Sequence, residues 1–461
     1  MVQLNGRASI TRFRTCVARY IQLLLVLFGS VFSSPTFAQE RSYLDQTFAG
    51  NGVAKIIFGA GKSWGNGGAI DSDGKIVVAG SVNYEGYLHS IALARVHANG
   101  MMDDKFGDKG IVVTKVGVNS RSTAIALTLD GKIVVVGWAF VEKGKEGIAV
   151  AKYNADGSLD SSFAEQGLLI FPNEYSTAYA HSMAVQPDGK ILIGGMIRIR
   201  KEYKDQLILR SVPHDYVFLT RVNQNGSLDT TFGMKGTVQT DVGGGELRIT
   251  SLTLQQDGKV IAAGSWQKGS TSTLVLARYN MDGSLDQRFG AQGLVSKTSE
   301  KVRYKTPTVV MLADGRIQVF NGYALQDDAW LLISTLREDG TFDLNFGDKG
   351  TITTRTEFWR YSEFITLSQL DGKILVSGLS LRPPKPGQSR PPFHYSIGVS
   401  RFLQDGQADK SFGPNGMRVV PVGSMTDKPV FATIQADGRI VIVGQSDNQD
   451  AQHIVLIGLV P

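Results

Sequence analysis

The sequence predicts an all-β protein built from seven similar units, because two short markers recur along it at nearly constant spacing. The first marker is a D-G-[KR] turn flanked by apolar residues, and the second is an aspartate three residues before a phenylalanine. The first begins at Asp73, Asp130, Asp188, Asp257, Asp314, Asp371 and Asp437, and the second at Asp45, Asp103, Asp160, Asp229, Asp286, Asp343 and Asp409. Markers repeated every 57–69 residues indicate a repeat architecture.

The sequence of each unit predicts four short strands. In the second unit these are GIVVTKV, STAIALTL, KIVVVGWAF and GIAVAKY, rich in valine and isoleucine and separated by turn residues. The D-G pair is a strong hairpin signal, because a tight hairpin turn requires positive φ. Seven such units predict a single seven-bladed β-propeller, whose radial arrangement covers the sheet edges. An open solenoid and two smaller propellers are the alternatives, but no linker interrupts the units.

The two ends of the predicted repeat indicate how the ring closes. VAKIIF at 53–58 is a strand without a unit of its own, while the last unit stops at HIVLIGLV, 453–460, without its fourth strand. We therefore expect VAKIIF to be the outer strand of the last blade. This arrangement is a 1+3 closure.

The repeated segments resemble the delta-60 repeat family, which is related to NHL-type propeller repeats. The family pattern A-R-[YF]-x-x-D-G-x-L-D-x-x-F-G-x-x-G is matched by LARYNMDGSLDQRFGAQG, and x-D-G-K-I-[VL]-V-x-G by QPDGKILIGG. The resemblance covers residues 41–461 and implies a propeller domain at 39–461 in a secreted or surface bacterial protein, with no catalytic residues to carry over. The later units depart from the pattern: Thr335 and Gly458 replace its arginine, and Arg316 and Arg439 replace its lysine.

Residues 1–38 have the layout of a secretory signal peptide. Four arginines precede any acidic residue, the apolar run IQLLLVLFGSVF follows, and Thr36 and Ala38 are placed like an A-x-A cleavage site. The apolar run is shorter than the roughly 20 residues of a membrane span. We therefore expect a secreted or periplasmic protein with no membrane span after cleavage. An uncleaved N-terminal anchor is the alternative.

Removal of this segment changes the available chemistry. The formal net charge falls from +6 to +2, which argues against a nucleic-acid partner. The only cysteine, Cys16, is removed as well. Disulfides, zinc–thiolate sites and cysteine nucleophiles are therefore excluded.

The repeated charges predict structure rather than catalysis. A basic residue precedes the turn aspartate by eight positions in Arg95/Asp103, Lys152/Asp160, Arg221/Asp229, Arg278/Asp286 and Arg401/Asp409. An active site is rarely copied five times, so we interpret these as structural ion pairs or turn-capping contacts. The loop KYNADGSLD lacks the first and last ligands of a calcium loop, and no histidine spacing fits a metal site. No nucleotide-binding or nucleophile motif has a fitting context, so we expect neither metal nor cofactor.

Functional residues are expected where the units differ. The D-G-[KR] hairpins and the L-D-x-x-F turns share one face of the predicted disc, here called the turn face. The opposite loop face holds the loops that enter the innermost strands and two insertions, 198–216 and 381–395. Loops on a rigid scaffold often carry function, and aromatic and basic side chains suit sugars, peptides and anions. The candidate ligand-binding residues are Trp64, Trp138, His181, Arg248, Trp266, Tyr304, Trp359, Arg360 and Tyr361.

Two functions fit this pattern. The first is a monomeric, non-enzymatic scaffold that binds a glycan, a peptide or a protein on the loop face. The second is an extracytoplasmic enzyme, a lyase or a hydrolase, with its site at the mouth of the central channel. An enzyme requires several titratable side chains within hydrogen-bond reach, whereas a scaffold requires a broad aromatic and basic patch. Scattered surface aromatics without any function are the plainer alternative. The sequence favours the scaffold.

The exported protein is expected to begin at or near Gln39, because residues 1–38 follow the basic, apolar and small-residue order of a cleaved signal. N-terminal sequencing of the protein from the extracytoplasmic fraction measures this directly. An intact Met1 on a cytoplasmic pool would contradict the prediction.

Overall fold

The fold is all-β. The computed structural model describes residues 43–59, 61–85, 88–141, 145–172, 177–205, 208–243, 245–325, 328–358, 364–369, 371–381, 395–423, 426–448 and 451–461. Within these ranges the regular structure consists of 28 β-strands and one short 3-10 helix, Pro414–Gly416. None of the described residues forms a helix that is long and apolar enough to cross a membrane.

Twenty of the strands form five separate four-stranded antiparallel sheets, in which neighbours in sequence are neighbours in space. The first sheet contains β2 (Ser63–Ile70), β3 (Ile76–Glu85), β4 (Leu88–Val96) and β5 (Ile111–Thr114). The second contains β6 (Asn119–Leu127), β7 (Ile133–Val141), β8 (Lys145–Tyr153) and β9 (Leu168–Pro172). The third contains β10 (Thr177–Val185), β11 (Ile191–Asp205), β12 (Ile208–Val222) and β13 (Thr237–Thr240). The fourth contains β14 (Glu246–Leu254), β15 (Val260–Lys268), β16 (Thr271–Tyr279) and β17 (Leu294–Ser299), and the fifth β18 (Thr308–Met311), β19 (Ile317–Leu325), β20 (Asp328–Leu336) and β21 (Thr351–Thr356).

The other eight strands form one larger sheet. Its sixth-unit half contains β22 (Ile365–Ser368), β23 (Ile374–Leu381), β24 (Tyr395–Phe402) and β25 (Met417–Val420), and its seventh-unit half β26 (Thr426–Ile434), β27 (Ile440–Asn448), β28 (Ala451–Leu459) and β1 (Val53–Ile56). A parallel bridge between Tyr395 and Thr426 joins the halves. The expected pairing of VAKIIF with HIVLIGLV is confirmed, since β1 runs antiparallel to β28 with Val53 opposite Ile457.

Apolar side chains fill the spaces between neighbouring groups of strands. The described residues contain seven hydrophobic clusters, and each combines two consecutive groups of four. One of them packs Val441 and Ile454 of the last group against Ile76 and Ala92 of the first sheet. Because the last group packs on the first as well as on its predecessor, the sheets follow one another in a closed circle.

The first strand of each group lies at the centre of this circle. β2 contacts β6, β6 contacts β10, β10 contacts β14 and β14 contacts β18. β22 likewise contacts β26, and β26 contacts β2. Side chains on these strands are therefore brought together from units that are far apart in sequence.

The ion pairs expected from the repeated charges are present. In the first sheet the Asp103 carboxylate accepts hydrogen bonds from Lys75 Nζ at 3.0 Å and from Arg95 Nε at 2.9 Å. Lys75 belongs to the D-G-K hairpin, and Asp103 to the L-D-x-x-F turn. Hairpin and turn therefore share the turn face, as the sequence predicted.

The insertion at 198–216 differs from the expected loop, because it lengthens the β11–β12 hairpin to 15 residues in each strand. The pairing continues without a shift from Ile191 opposite Val222 to Asp205 opposite Ile208. A two-pronged ion pair supports the extension, with Arg198 Nε and Nη2 at 2.6 and 2.8 Å from the Asp215 carboxylate oxygens. Most of the second insertion, residues 382–394, lies outside the described residues.

Deletion of residues 41–59 is expected to abolish cooperative unfolding or to cause aggregation. The deletion removes β1, exposes the edge of β28 and takes Phe48, Ile56 and Phe58 out of the core, where each is at most 2% exposed. Thermal unfolding followed by circular dichroism measures the effect, with a chain that begins at Gln39 as the control. A melting curve equal to that of the control would show that the ends do not support each other.

Candidate functional site

A repeated irregularity shapes the central strands. Five of them carry a β-bulge at the same place, seven residues before the D-G-[KR] aspartate. A bulge redirects a side chain and is common next to binding sites. The bulged residues are Asn66, Thr123, His181, Thr250 and Val430.

A cavity of about 480 Å³ opens between these strands. Its residues come from the first, second, third and fifth sheets and from both halves of the large sheet, so the cavity surrounds the axis of the ring. They lie near the start of each central strand, far from the D-G-[KR] hairpins, which places the opening on the loop face. The walls include Trp64, Asn66, Ser81, Arg121, Thr123, Trp138, His181, Thr306, Phe364, Lys428 and Val430.

The guanidinium group of Arg121 lies between two indole rings on the cavity wall. Its central carbon is 5.7 Å from the centroid of the Trp64 ring and 5.8 Å from that of Trp138. Both distances fall within the range of cation–π attraction. Trp64 comes from β2, whereas Arg121 and Trp138 are opposite each other on β6 and β7. The cluster therefore joins the first two sheets.

His89 contacts both Arg121 and Trp64 of this cluster. It is 6% exposed, its Nε2 is 2.6 Å from Arg121 Nη2, and its ring meets Trp64 edge-on at 4.8 Å. Burial, followed by the positive charge of Arg121, lowers the pKa of His89 below 6.5. The ring is therefore neutral at pH 7, with Nε2 as the acceptor of the Arg121 hydrogen bond and the proton on Nδ1.

His181 is the bulged residue of the third sheet and also lines the cavity. Burial, followed by the charge of Arg248, lowers the pKa of His181 below 6.5, so this imidazole too is neutral at pH 7. Arg248 lies at the exposed start of β14 in the next sheet. The sequence-predicted residues Trp64, Trp138 and His181 therefore share one cavity, and Arg248 acts on it electrostatically.

Other predicted residues are placed elsewhere. Trp266 packs against the hydrophobic cluster between the third and fourth sheets. Tyr304 is 3% exposed within the cluster between the fourth and fifth sheets, and burial raises its pKa. Neither is among the described residues that line the cavity. Trp359, Arg360 and Tyr361 lie outside the described residues.

Two cations on the cavity wall, Arg121 and Lys428, are not among the residues predicted from the sequence. A signal for them is present in the repeat: each lies nine residues before a D-G-[KR] aspartate. The same position holds Trp64, Arg121, Tyr179, Arg248, Lys305, Ser362 and Lys428. In six of the seven units this residue is aromatic or basic, although no single unit shows the pattern.

The charge of the cavity has one sign. Arg121 and Lys428 line it, and no Asp or Glu is found among its lining residues in the described part of the chain. Thr306 Oγ1, also on the wall, is buried without a hydrogen-bond partner there. Across the described ranges, no group of three His, Cys, Asp or Glu residues is placed to hold a metal ion. The arrangement favours an anionic group with flat apolar surfaces beside it.

Comparison with known proteins supports the architecture. Residues 72–106, 129–163 and 255–289 match a family model described as a domain of unknown function (DUF5122) beta-propeller. Each match runs from a D-G-K hairpin to the phenylalanine of the following turn. Together with the repeated four-stranded sheets, these matches place the chain among the β-propeller proteins. No curated protein matches the sequence.

Several solved structures resemble the fold at low sequence identity. A protein of unknown function from Dyadobacter fermentans is 15% identical over 88% of this chain and 99% of its own, with a TM-score of 0.41. Virginiamycin B lyase from Staphylococcus aureus, in a catalytically inactive form, is 8% identical over 88% and 98%, with a TM-score of 0.47. Polysaccharide lyase Uly1 is 11% identical over 92% and 95%, with a TM-score of 0.41.

Replacement of Arg121 by methionine is expected to raise the pKa of His89, because the positive charge that disfavours its protonation is removed. Arg248→Met is the matched control: it should raise the pKa of His181 and leave that of His89 in place. NMR titration of the imidazole resonances measures both values. An unchanged or lower His89 pKa in the Arg121→Met protein would contradict the described contact.

Proposed function

We propose that the protein is an exported, non-enzymatic seven-bladed β-propeller that binds an anionic ligand in the central cavity of its loop face. The ligand is a glycan, a peptide or a protein surface that carries negative charge. The observation on which this rests is the Arg121 guanidinium held between Trp64 and Trp138 on the cavity wall.

Seven blades follow if the eight-stranded sheet is counted as two. A single bridge between Tyr395 and Thr426 links its halves, and each half packs against a different neighbouring sheet. The seven hydrophobic clusters correspond to seven interfaces between blades. With β1 as the outermost strand of the last blade, the ring has the 1+3 closure. A closed ring leaves each sheet covered on both faces, which agrees with a monomer.

The chemistry of the cavity supports an anionic ligand. An arginine presents a planar set of donors that fits a carboxylate, a sulfate or a phosphate, and Lys428 adds a second positive charge. The indole rings on either side of Arg121 offer flat apolar faces to a sugar ring or an aromatic side chain. His89 fixes the guanidinium from behind, so less side-chain entropy is lost on binding.

Export is proposed from the first 38 residues and from the resemblance to the delta-60 repeat family. Both features agree with a ligand met outside the cytoplasm. A repeated turn face with a variable loop face is the arrangement expected of a binding scaffold.

One observation favours the alternative, an extracytoplasmic lyase or hydrolase. His181 lies at a bulge on the cavity wall, is neutral at pH 7, and has the positive charge of Arg248 nearby. A neutral imidazole can accept a proton from a bound substrate, and an adjacent cation can stabilise the negative charge that results. Chemical change of a bound ligand, lost in His181→Gln while binding persists, would establish this function instead.

Binding is best tested with glycan and peptide arrays that pair each acidic probe with its neutral analogue. The purified protein is expected to retain acidic probes selectively. Arg121→Ala should weaken the strongest interaction about tenfold or more, since a central arginine between aromatic rings is a typical binding hot spot. Lys428→Ala should weaken it less, because its side chain is exposed.

Arg288→Ala and Lys410→Ala are the matched controls, since both residues are exposed on turns of the opposite face. They should retain full binding. Equal loss in these controls, or equal retention of neutral and acidic probes, would contradict the proposed site. Thermal melts of all variants separate loss of binding from loss of folding.

A further inference from the structure

The turn face contains a cation site that is repeated from sheet to sheet. In the first sheet, Arg95 donates to the Asp103 carboxylate, lies 4.6 Å from the centroid of the Phe106 ring, and donates to the carbonyl of Ala155 in the next turn. The guanidinium is therefore held by a carboxylate, an aromatic face and a backbone carbonyl. It also fastens one sheet to the next.

Other sheets repeat these three contacts with their own residues. Arg221 is 2.8 Å from Asp229, 4.6 Å from the Phe232 centroid and 2.5 Å from the Met281 carbonyl. In the second sheet, Lys152 takes the same place, 3.5 Å from its aspartate and 3.1 Å from the Gln224 carbonyl. In each case the carbonyl belongs to the residue five positions before the next turn aspartate.

The last unit lacks this arginine, but another side chain fills the site. Gly458 stands at the arginine position, and the D-G-R residue Arg439 reaches in from the hairpin. Arg439 Nε lies 2.6 Å from Asp45, Nη1 is 3.0 Å from the Ala98 carbonyl, and the guanidinium is 5.9 Å from the Phe48 centroid. All three contacts are restored by a different residue.

The fifth unit also lacks the arginine, and its D-G-R residue restores only the contact with the turn aspartate. Thr335 stands at the arginine position. Arg316 binds Asp343 at 3.1 Å but also its own hairpin Asp314 at 2.8 Å, and its side chain is 40% exposed. Among the described residues, it makes no contact with the Phe346 ring or the Gln404 carbonyl, which are the counterparts of Phe48 and Ala98.

A cavity of about 380 Å³ lies where the other units place the cation. Its walls include Thr335, Phe346 and Gln404, the residues at the arginine, aromatic and carbonyl positions of the site, together with Arg316, which binds the Asp343 carboxylate. Thr335 is 1% exposed, and its Oγ1 has no hydrogen-bond partner in the described part of the chain. A buried, unpartnered hydroxyl therefore lies at the cavity.

Within the described ranges, the two turns beside this cavity, from the fifth and sixth units, lack a backbone hydrogen bond that other pairs of neighbouring turns make. At three other junctions a turn glycine donates its backbone N–H to the next turn: Gly107 to Asp156, Gly233 to Asp282 and Gly290 to Asp339, at 2.7–2.8 Å. The corresponding residues here, Gly347 and Asp405, both line the cavity. No backbone hydrogen bond joins them in the structure as described.

We propose that this cavity binds a guanidinium group supplied by another molecule. The group would take the place of the missing arginine, between the Asp343 carboxylate, the face of Phe346 and the carbonyl of Gln404. A planar guanidinium satisfies a carboxylate, a ring face and a carbonyl together, whereas a compact ammonium group stacks less well. An arginine side chain of a peptide and a small free guanidinium compound share this chemistry. The site is on the turn face and is independent of the proposed loop-face function.

Titration of the full-length mature protein with ethylguanidinium, followed by NMR, tests the proposal. Saturable shifts of Phe346 and Gln404 are expected, with ethylammonium binding at least about tenfold more weakly. N-acetylarginine methylamide distinguishes the sources: binding at least as tight as that of ethylguanidinium identifies a peptide side chain, and much weaker binding identifies a small molecule. Either result supports a guanidinium site.

Thr335→Arg should fill the cavity from within, abolish ethylguanidinium binding and raise the melting temperature. Thr335→Lys reproduces the arrangement of the second sheet and serves if the arginine variant folds poorly. Lys268→Ala, at the exposed end of β15 and outside both cavities, should leave ethylguanidinium binding unchanged. Absence of saturable shifts in the wild-type protein, or equal binding by the wild-type, Thr335→Arg and Thr335→Lys proteins, would overturn the proposal.

Discussion

The fold depends on a buried carboxylate that is shared by cations from two parts of the same sheet. Burial alone would raise the pKa of Asp160 and Asp229, but hydrogen bonds from the hairpin lysines and from the neighbouring turn hydroxyls lower it well below 3.8. The carboxylates therefore remain charged and fix hairpin, strand and turn together. This stabilisation is present above the ordinary pKa of 3.8 and is lost as the pH falls through the lower folded value. Every sheet needs its hairpin, strand and turn held together in this way, which explains why the charged turn recurs along the sequence.

Local chemistry explains how much of the fold could be predicted. The conformation of a D-G turn or an L-D-x-x-F turn is determined by a few consecutive residues, so the sequence predicts it. The pairing of β1 with β28 is predictable because each is a strand without a partner in its own unit. The sequence predicts Tyr304 on the loop face, because it precedes a central strand, yet its side chain lies in the core. Its burial depends on how the fourth and fifth sheets pack against each other, and the sequence of a single unit does not show this packing. Arg121 and Lys428 were missed for a related reason, since only comparison of equivalent positions across units shows a basic ring.

The two faces differ because their residues obey different constraints. On the turn face a cation, a carboxylate and an aromatic ring fit each other, and where Gly458 replaces the arginine, Arg439 takes its place. On the central strands, a bulge turns side chains such as Asn66 and His181 toward the channel. The residue at this position differs from unit to unit, and Asn66 reaches across to the carbonyl and hydroxyl of Ser122 in the next sheet. The common scaffold thus supports a central cavity whose composition differs from one side to the other.

The pairing of β1 with β28 has a consequence for the order of folding. The face of the first sheet that carries Ile76 and Ala92 is covered by Val441 and Ile454, which are synthesised last. Each earlier interface forms between neighbours in sequence, but this one requires contact between opposite ends of the chain, and such contacts form slowly. Until then, the apolar face of the first sheet and the edge of β28 remain exposed to water and to other chains. Ring closure is therefore the step at which correct folding competes most directly with aggregation.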